Sequence, residues 1–307
     1  MSEPLPLGNF ALGGRRFAGR VSGERVRELP IASTADLLDD WEGSARRIAS
    51  ISTGPEHELA SLRILPPVQP RQIFQAGANY RKHVVGLVVA QGQHSREDAE
   101  KIMDERARSG RPYLFLGLPT SVCGAYDDVV LPRAGTQHDW ELELAVVIGR
   151  RARHVPVDKA LDFVAGYTIC NDLTTRDLVF RPDVGAIGAD WVASKCAPTF
   201  LPTGPYLVPA ALVSDPMELQ VRLSLNGDVM QDESTSDMLY DVRRLIAYAS
   251  DCVLLLPGDL LLTGSPAGNG AQWGRFLVPG DVIDGEITGL GSQRNRCVAE
   301  DASHPTG

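Results

Sequence analysis

Residues 138–149 carry the strongest strand signal in the chain, with the sequence HDWELELAVVIG. Side chains of a β-strand alternate between its two faces, so Glu141 and Glu143 are predicted to lie on the same face. The apolar run from Ala145 to Ile148 ends at a glycine, which is typical of a strand buried on both faces. A strand with one solvated face in its first half would show the same pattern. If both carboxylates are buried, a divalent cation would offset their repulsion and their lost hydration.

A second β-prone run, residues 166–172, ends at Asp172, immediately before a polar turn at residues 173–177. A third carboxylate at a strand end can meet the first two. Three carboxylates without a nearby histidine or cysteine pair suit a hard cation. We therefore predict one Mg²⁺ or Mn²⁺ ion per chain, held by Glu141, Glu143 and Asp172.

Composition limits the class of protein. The net charge of −9 argues against nucleic acid as a partner, and no apolar run is long enough to span a membrane. The 30 glycines and 21 prolines indicate many turns and so a β-rich fold. Five scattered cysteines are typical of reduced thiols in a cytoplasmic protein.

A proline-marked boundary follows a predicted strand at residues 61–65 and divides the chain in two. Residues 1–68 are predicted to form a small N-terminal domain and residues 69–307 the main domain, which contains the three carboxylates. A helix is expected in the first unit from Ser33 to about Trp41. Because this unit carries no chemical signature, we expect it to pack against the main domain.

The ordered motifs resemble the fumarylacetoacetate hydrolase superfamily, in particular its acylpyruvate and diketo-acid hydrolases. The resemblance covers about residues 70–298 and rests on segments 79–83, 141–143, 171–177, 226–227, 231, 234–238, 256–259, 262–268 and 278–281. It implies a mostly β (α+β) fold, a mixed β-sandwich roll, and a homodimer.

The same resemblance implies roles for several residues. His83 corresponds to the family's general base, and Lys195 and Thr263 to groups that stabilise developing negative charge. Arg81, Lys195, Thr263 and Gly264 would contact the substrate. The implied reaction is metal-dependent hydrolysis of a C–C bond in a 2,4-diketo acid, with an enolate as the leaving carbanion. Decarboxylation of a 2-oxo acid and isomerisation of a hydroxydiene-dioate remain alternatives at the same site.

Three positions depart from the family pattern. Gly86 replaces a glutamate that pairs with the histidine, Gly117 replaces a lysine, and Val179 replaces a glutamine. These changes predict a less anionic substrate.

A charged helix predicted from Ser95 to Gly110 is either a surface helix or a lid over the site. As a lid, it would offer Glu97 or Glu100 as the acid that partners His83.

Overall fold

The computed structural model describes residues 5–51, 53–90, 92 and 94–301, in which three larger β-sheets dominate. The strands are β1 (Leu7–Leu12), β2 (Arg15–Ser22), β3 (Arg25–Glu28), β4 (Glu56–Glu58), β5 (Arg63–Leu65), β6 (Ile73–Gly77), β7 (Tyr113–Gly117), β8 (Val122–Gly124), β9 (Val129–Leu131), β10 (His138–Asp139), β11 (Leu142–Ile148), β12 (Val164–Asn171), β13 (Thr174–Thr175), β14 (Leu201–Thr203), β15 (Val208–Pro209), β16 (Gln220–Leu225), β17 (Asp228–Ser234), β18 (Leu260–Leu262), β19 (Val282–Ile287) and β20 (Gly291–Ala299).

Short helices connect these strands. They are α1 (Ala35–Leu38), α2 (Trp41–Ser50), α3 (Arg81–Ala90), α4 (Arg96–Ser109), α5 (Trp191–Lys195), α6 (Val242–Cys252) and α7 (Gly270–Trp273). The helix predicted from Ser33 to about Trp41 is present but shorter, because α1 ends at Leu38 and a second helix begins at Trp41. Asp40 begins the second one, and its side chain accepts a hydrogen bond from the Gly43 amide at 3.3 Å.

The main core lies between two sheets. One follows the order β7-β6-β18-β11-β12-β14-β8, with β15 also paired to β12, and the other follows β17-β16-β19-β20-β9. Apolar side chains of both sheets join one buried cluster with α3, α4 and α6. The predicted α+β, mostly β fold of mixed sheets is confirmed.

The N-terminal strands form a separate five-stranded sheet in the order β4-β3-β2-β1-β5. Its unit packs against the back of the main sheet, since Leu7 and Leu37 share a buried cluster with Ala145 and Val147 of β11. Alternation along β11 sends Leu144 to the main core on the other side. Every residue of β11 is buried, which confirms the burial predicted for Ala145 to Ile148 and extends it to Glu143.

Strand directions create the functional edge of the main sheet. β11 runs antiparallel to both β12 and β18, and β6 runs parallel to β18. The ends of β6, β12 and β18 therefore meet the beginning of β11. This is the edge that carries Glu141, Glu143 and Asp172.

The predicted charged helix is α4, and it is docked onto the body of the protein. Ser95 accepts from the Asp98 amide at 3.1 Å, and Ala99 and Met103 are buried. Gly110 follows the helix with a φ of −76°, a value that any residue can adopt. It is therefore not a C-terminal cap glycine in the left-handed conformation. A Cβ there would lie 2.5 Å from the Tyr240 hydroxyl, so glycine is needed for close packing.

Within the described ranges, no helix combines the length and the apolar character needed to cross a bilayer.

Candidate metal centre

Three carboxylates meet at the edge where β11 begins and β12 ends. Leu142 pairs with Asn171, and the Asp172 amide donates to the Glu141 carbonyl at 2.8 Å. Glu141, Glu143 and Asp172 each have a carboxylate oxygen that lies within 4.8 Å of the corresponding oxygens of the other two. Antiparallel register thus brings the three predicted ligands together.

Lys195 lies against this cluster at the end of the short helix α5. Its buried ammonium is 2.8 Å from Glu141 Oε2, 2.6 Å from Asp172 Oδ2 and 2.7 Å from Thr174 Oγ1. Asp190 caps α5 by accepting from the Ala193 amide at 3.0 Å, which fixes the helix that carries the lysine. One ammonium of the chain therefore pairs with two of the three carboxylates and offsets one of their negative charges.

Arg176, in the turn after β12, pairs with the remaining oxygen of Glu141 at 2.6 Å and with Asp139 at 2.7 Å. Asp139 is fully buried and also accepts from the Gly270 and Ala271 amides at the start of α7. The guanidinium therefore ties a carboxylate of the cluster to the segment that contains α7.

Glu143 is held from the other side by the turn after β18. The Gly264 amide donates to Glu143 Oε2 at 2.7 Å, and the Thr263 hydroxyl donates to the Leu144 carbonyl at 2.9 Å. Gly264 has a φ of +91°, and a Cβ there would lie 2.9 Å from Asn79 Cβ. Thr263 and Gly264 thus bond to β11 itself, which positions the carboxylate.

Burial sets the electrostatics of the cluster. Burial raises the pKa of Glu143, and the neighbouring Asp172 and Glu141 raise it further. Burial also raises the pKa of Asp172 to about 6, against the pull of Lys195. Burial would raise the pKa of Glu141 as well, but Lys195 and Arg176 outweigh it and hold that pKa at about 2.

The donor set fits a hard divalent cation. All three ligands are oxygens, the negative charge exceeds what the lysine neutralises, and Glu143 has no cationic partner among the described side chains. A cation at this position would remove the repulsion that raises the pKa of Glu143.

The raised pKa of Asp172 predicts a pH-dependent stability. A carboxyl whose folded pKa exceeds its unfolded value contributes stability at low pH, and that contribution is lost as the pH rises toward the folded pKa. For Asp172 the window runs from about pH 4 to about pH 6. We expect the metal-free protein to lose stability across this window relative to Asp172→Asn, measured by urea unfolding in chelator. A constant difference would contradict the raised pKa.

His83 lies on the first turns of α3, partly buried. Its Nδ1 is 3.5 Å from Gln272 Nε2 of α7. Burial lowers the pKa of His83, with Glu141 and Asp139 acting in the opposite direction and Arg176 in the same one. The charges of the carboxylate cluster therefore act on the imidazole.

The remaining predicted residues, Arg81, Glu97 and Glu100, make their contacts on α4 or lie in solvent. Arg81 pairs with Asp104 of α4 at 2.7 Å, and it donates to the Glu100 carbonyl at 3.2 Å. Glu97 pairs with Lys101 in solvent, and the Glu100 side chain is exposed. The structure therefore brings neither acid into a hydrogen bond with His83.

Glutamines fill the space at two of the departures from the family pattern. A Cβ at Gly117 would lie 2.6 Å from Gln75 Oε1, and the amide of Gln75 donates to Asp172. A Cβ at Gly86 would lie 3.3 Å from Gln272 Nε2. Both positions thus have a polar neighbour without a charge.

Sequence reasoning missed four residues of this network, namely Gln75, Asp139, Arg176 and Gln272. Asp139 lies two residues before Glu141, so extending the strand alternation by one step toward the N-terminus places it on the same face as Glu141 and Glu143. Gln75 is a polar residue within an otherwise apolar strand, which is also a signal. Gln272 had no signal, because it reaches the site across 189 residues of sequence.

Comparisons with known proteins show which family this chain resembles. The family described as fumarylacetoacetate hydrolase, C-terminal, matches residues 72–298. A mitochondrial oxaloacetate tautomerase from Bos taurus is 34% identical over 246 residues, covering 80% of this chain and 71% of that protein.

Two solved structures show the same fold along almost the whole chain. A 5-carboxymethyl-2-hydroxymuconate delta-isomerase from Mycobacterium smegmatis has a TM-score of 0.74 and 28% identity, covering 97% of this chain and 100% of that one. A maleylpyruvate hydrolase from Sphingobium sp. SYK-6, in complex with manganese(II) and pyruvate, has a TM-score of 0.75 and 29% identity at the same coverage.

Proposed function

Because this chain belongs to the fumarylacetoacetate hydrolase family, we propose that it catalyses keto–enol tautomerisation of a small 2-oxo acid such as oxaloacetate. The observation that carries the proposal is the buried cluster of Glu141, Glu143 and Asp172 with the Lys195 ammonium beside it. With a divalent cation on the three carboxylates, this site would combine the charges of the cation and the ammonium, and positive charge of this kind stabilises an enolate. The similarity to an oxaloacetate tautomerase supports this choice of reaction, and the dianion oxaloacetate takes the place of the less anionic substrate expected from the sequence.

The residues of the chain have distinct roles in this proposal. Glu141, Glu143 and Asp172 would hold the cation. A divalent cation bound there would supply positive charge that stabilises the enolate form of a 2-oxo acid. Lys195 keeps Glu141 and Asp172 ionised and adds a second positive charge near the bound acid. Thr263 acts through the backbone of β11, because its hydroxyl donates to a β11 carbonyl.

Hydrolysis of a C–C bond in a 2,4-diketo acid is the second candidate function. The likeness to a manganese-bound maleylpyruvate hydrolase favours it. Hydrolysis requires a base that takes a proton from water, and His83 would have to serve as that base. In the described part of the chain, however, no carboxylate accepts a hydrogen bond from the His83 ring. That environment favours tautomerisation over hydrolysis.

A direct assay separates the candidate reactions. Metal-loaded protein is mixed with enol-rich oxaloacetate or with an acylpyruvate, and the enol absorbance and the released acids are followed together. Tautomerisation predicts metal-dependent loss of enol absorbance without release of pyruvate, whereas decarboxylation or hydrolysis releases it. Asp172→Asn should be inactive, and the exposed Asp251→Asn serves as the matched control. Full activity in chelator would refute the proposal.

We also propose a homodimer formed through an apolar surface beside α5, consisting of Leu116, Phe180, Ile187 and Val192. These side chains are 63–82% exposed, and α5 contacts both β7 and the turn that begins at Arg176. Exposed large apolar groups on adjoining segments are typical of an interaction surface. Phe180→Asp should shift the mass measured by light scattering toward the monomer, while Lys159→Asp should not. A wild-type monomer at micromolar concentration would contradict the dimer.

A further inference from the structure

Gln272 lies where a glutamate partner of the histidine is missing from α3. Its Nε2 is 3.5 Å from Nδ1 of His83, and a Cβ at Gly86 would lie 3.3 Å from the same nitrogen. The absence of a side chain at Gly86 therefore leaves the space that the amide of Gln272 occupies. The neighbour of the imidazole is a neutral amide from α7.

The orientation of this amide is fixed by its second contact. The backbone N–H of Gly268 donates to Gln272 Oε1. A backbone N–H can only donate, so the oxygen of the amide must face Gly268 and the NH₂ group must face His83. An NH₂ group has hydrogens and no acceptor to offer, so it donates to the lone pair of Nδ1.

The position of Gln272 is tied to the carboxylate cluster. Asp139 accepts from the Ala271 amide at 3.1 Å and from Arg176 Nε at 2.7 Å, and Arg176 in turn bonds Glu141 at 2.6 Å. This chain of hydrogen bonds holds α7, and with it the amide, at a set place relative to the cluster.

We infer that Gln272 is a positioning residue that keeps His83 neutral, with its proton on Nε2, so that this histidine donates a hydrogen bond instead of acting as a base. A neutral imidazole that accepts at Nδ1 must carry its proton on Nε2. A doubly protonated ring would place an N–H against the NH₂ of Gln272, so the charged form is disfavoured. Neutral histidine is an effective donor to a substrate oxygen that gains negative charge.

The consequence for catalysis rests on the proposed function. In tautomerisation, water would carry the proton that moves between the carbon and the oxygen of the substrate, while His83 stabilises the charge on that oxygen and keeps its own proton. In hydrolysis, the same nitrogen would have to accept a proton from water, which the Nε2–H form cannot do. Gln272 thus selects enolate chemistry without water addition over C–C hydrolysis.

The protonation state of His83 tests the inference without any substrate. Nitrogen NMR of ¹⁵N-histidine-labelled protein, assigned with His83→Gln, distinguishes the two neutral tautomers and the charged form. We expect the Nε2–H tautomer of His83 at pH 7 in the wild type. A proton on Nδ1, or a charged ring at pH 7, would overturn the inference.

Gln272→Glu reverses the proposed interaction with little change in shape. Its carboxylate can still accept from the Gly268 amide, and it can now accept from an Nδ1–H as well. The proton of neutral His83 should move to Nδ1. The pKa of the His83 imidazole should rise by about 1 to 2, because a negative charge would lie beside the ring. The other charged groups that act on this ring, Glu141, Asp139 and Arg176, are the same in the variant. Gln272→Met, which has similar length but no amide, should lose the tautomer preference without this rise. An unchanged tautomer of His83 in Gln272→Glu would refute the inference.

Enzyme assays then separate this inference from the proposed function. Gln272→Glu should increase the ratio of acylpyruvate hydrolysis to oxaloacetate tautomerisation by at least about tenfold, which is less than the roughly 10²–10⁴-fold that a positioned general base contributes. It should also move the kcat/KM profile to higher pH. If the wild type acts on neither substrate, the proposed function fails while the NMR result still decides the tautomer. If it is active but Gln272→Glu changes neither ratio nor profile, the positioning role is wrong.

Discussion

Replacing Lys195 with methionine should lower the free energy of unfolding of the metal-free protein by about 3–5 kcal/mol, as expected when one partner of a buried ion pair is removed. The Lys195 ammonium lies 2.8 Å from Glu141 and 2.6 Å from Asp172, and all three groups are largely shielded from water. Methionine keeps most of the side-chain length and removes the charge. Asp172 would then lose its cationic partner, and Glu141 would keep only its pair with Arg176.

A divalent cation should reverse much of this loss. Mn²⁺ would restore the positive charge that the carboxylates need, so the stability difference between variant and wild type should shrink when the metal is saturating. Urea unfolding in chelator and in Mn²⁺ measures both quantities. The exposed Lys159→Met is the matched control and should change stability by less than about 0.5 kcal/mol. A Lys195→Met protein as stable as this control would contradict the electrostatic account.

The sequence predicts the carboxylate cluster well because two local rules govern it. Period-two alternation places Glu141 and Glu143 on one face, and an uninterrupted apolar run identifies β11 as a buried strand. The position of Asp172 then follows from the antiparallel pairing of β11 with β12, in which Leu142 lies opposite Asn171. The hydrophobic patterns of the two neighbouring strands β11 and β12 are therefore enough to predict where the three carboxylates meet.

The surroundings of His83 could not be predicted in the same way. The departures at Gly86 and Gly117 indicated lost polarity, but the structure fills both spaces with glutamine amides from other elements. Gln272 reaches His83 through α7, a four-residue helix whose place depends on the buried Asp139. No periodicity or motif encodes such a contact, because it arises from where a loop is anchored in three dimensions.

Helix α4 shows a related limit of local patterns. Its cap and narrow apolar stripe predict a helix, and both a lid and a surface element share those features. In the structure, α4 packs on α3 through Ala99 and Met103, and Tyr240 donates from its hydroxyl to the Arg106 carbonyl at 2.9 Å. Whether Glu97 or Glu100 contributes to catalysis stays a prediction, which single alanine variants at saturating metal can test.

Glu143→Gln should separate metal binding from folding more sharply than any other single change at this site. In the wild type, the Gly264 amide donates to Glu143 Oε2 at 2.7 Å. Glutamine has the same size and keeps a side-chain oxygen that can accept this hydrogen bond. Only the negative charge is lost. Because burial and the neighbouring carboxylates raise the pKa of Glu143, its charge destabilises the metal-free fold at neutral pH. The metal-free variant should therefore be at least as stable as the wild type.

The same variant should lose the responses that depend on a bound cation. At a metal concentration 100 times the wild-type dissociation constant, binding stabilises the wild type by about 2.7 kcal/mol, and the variant should show little of this gain. Turnover should fall by about 10²–10³-fold, since a catalytic cation contributes several kcal/mol to transition-state stabilisation. Calorimetric titration, unfolding with and without Mn²⁺, and the enol assay measure these effects, with Asp251→Asn as control. Retention of metal-induced stabilisation in Glu143→Gln would remove this carboxylate from the ligand set and leave Glu141 and Asp172 to bind the ion with other groups.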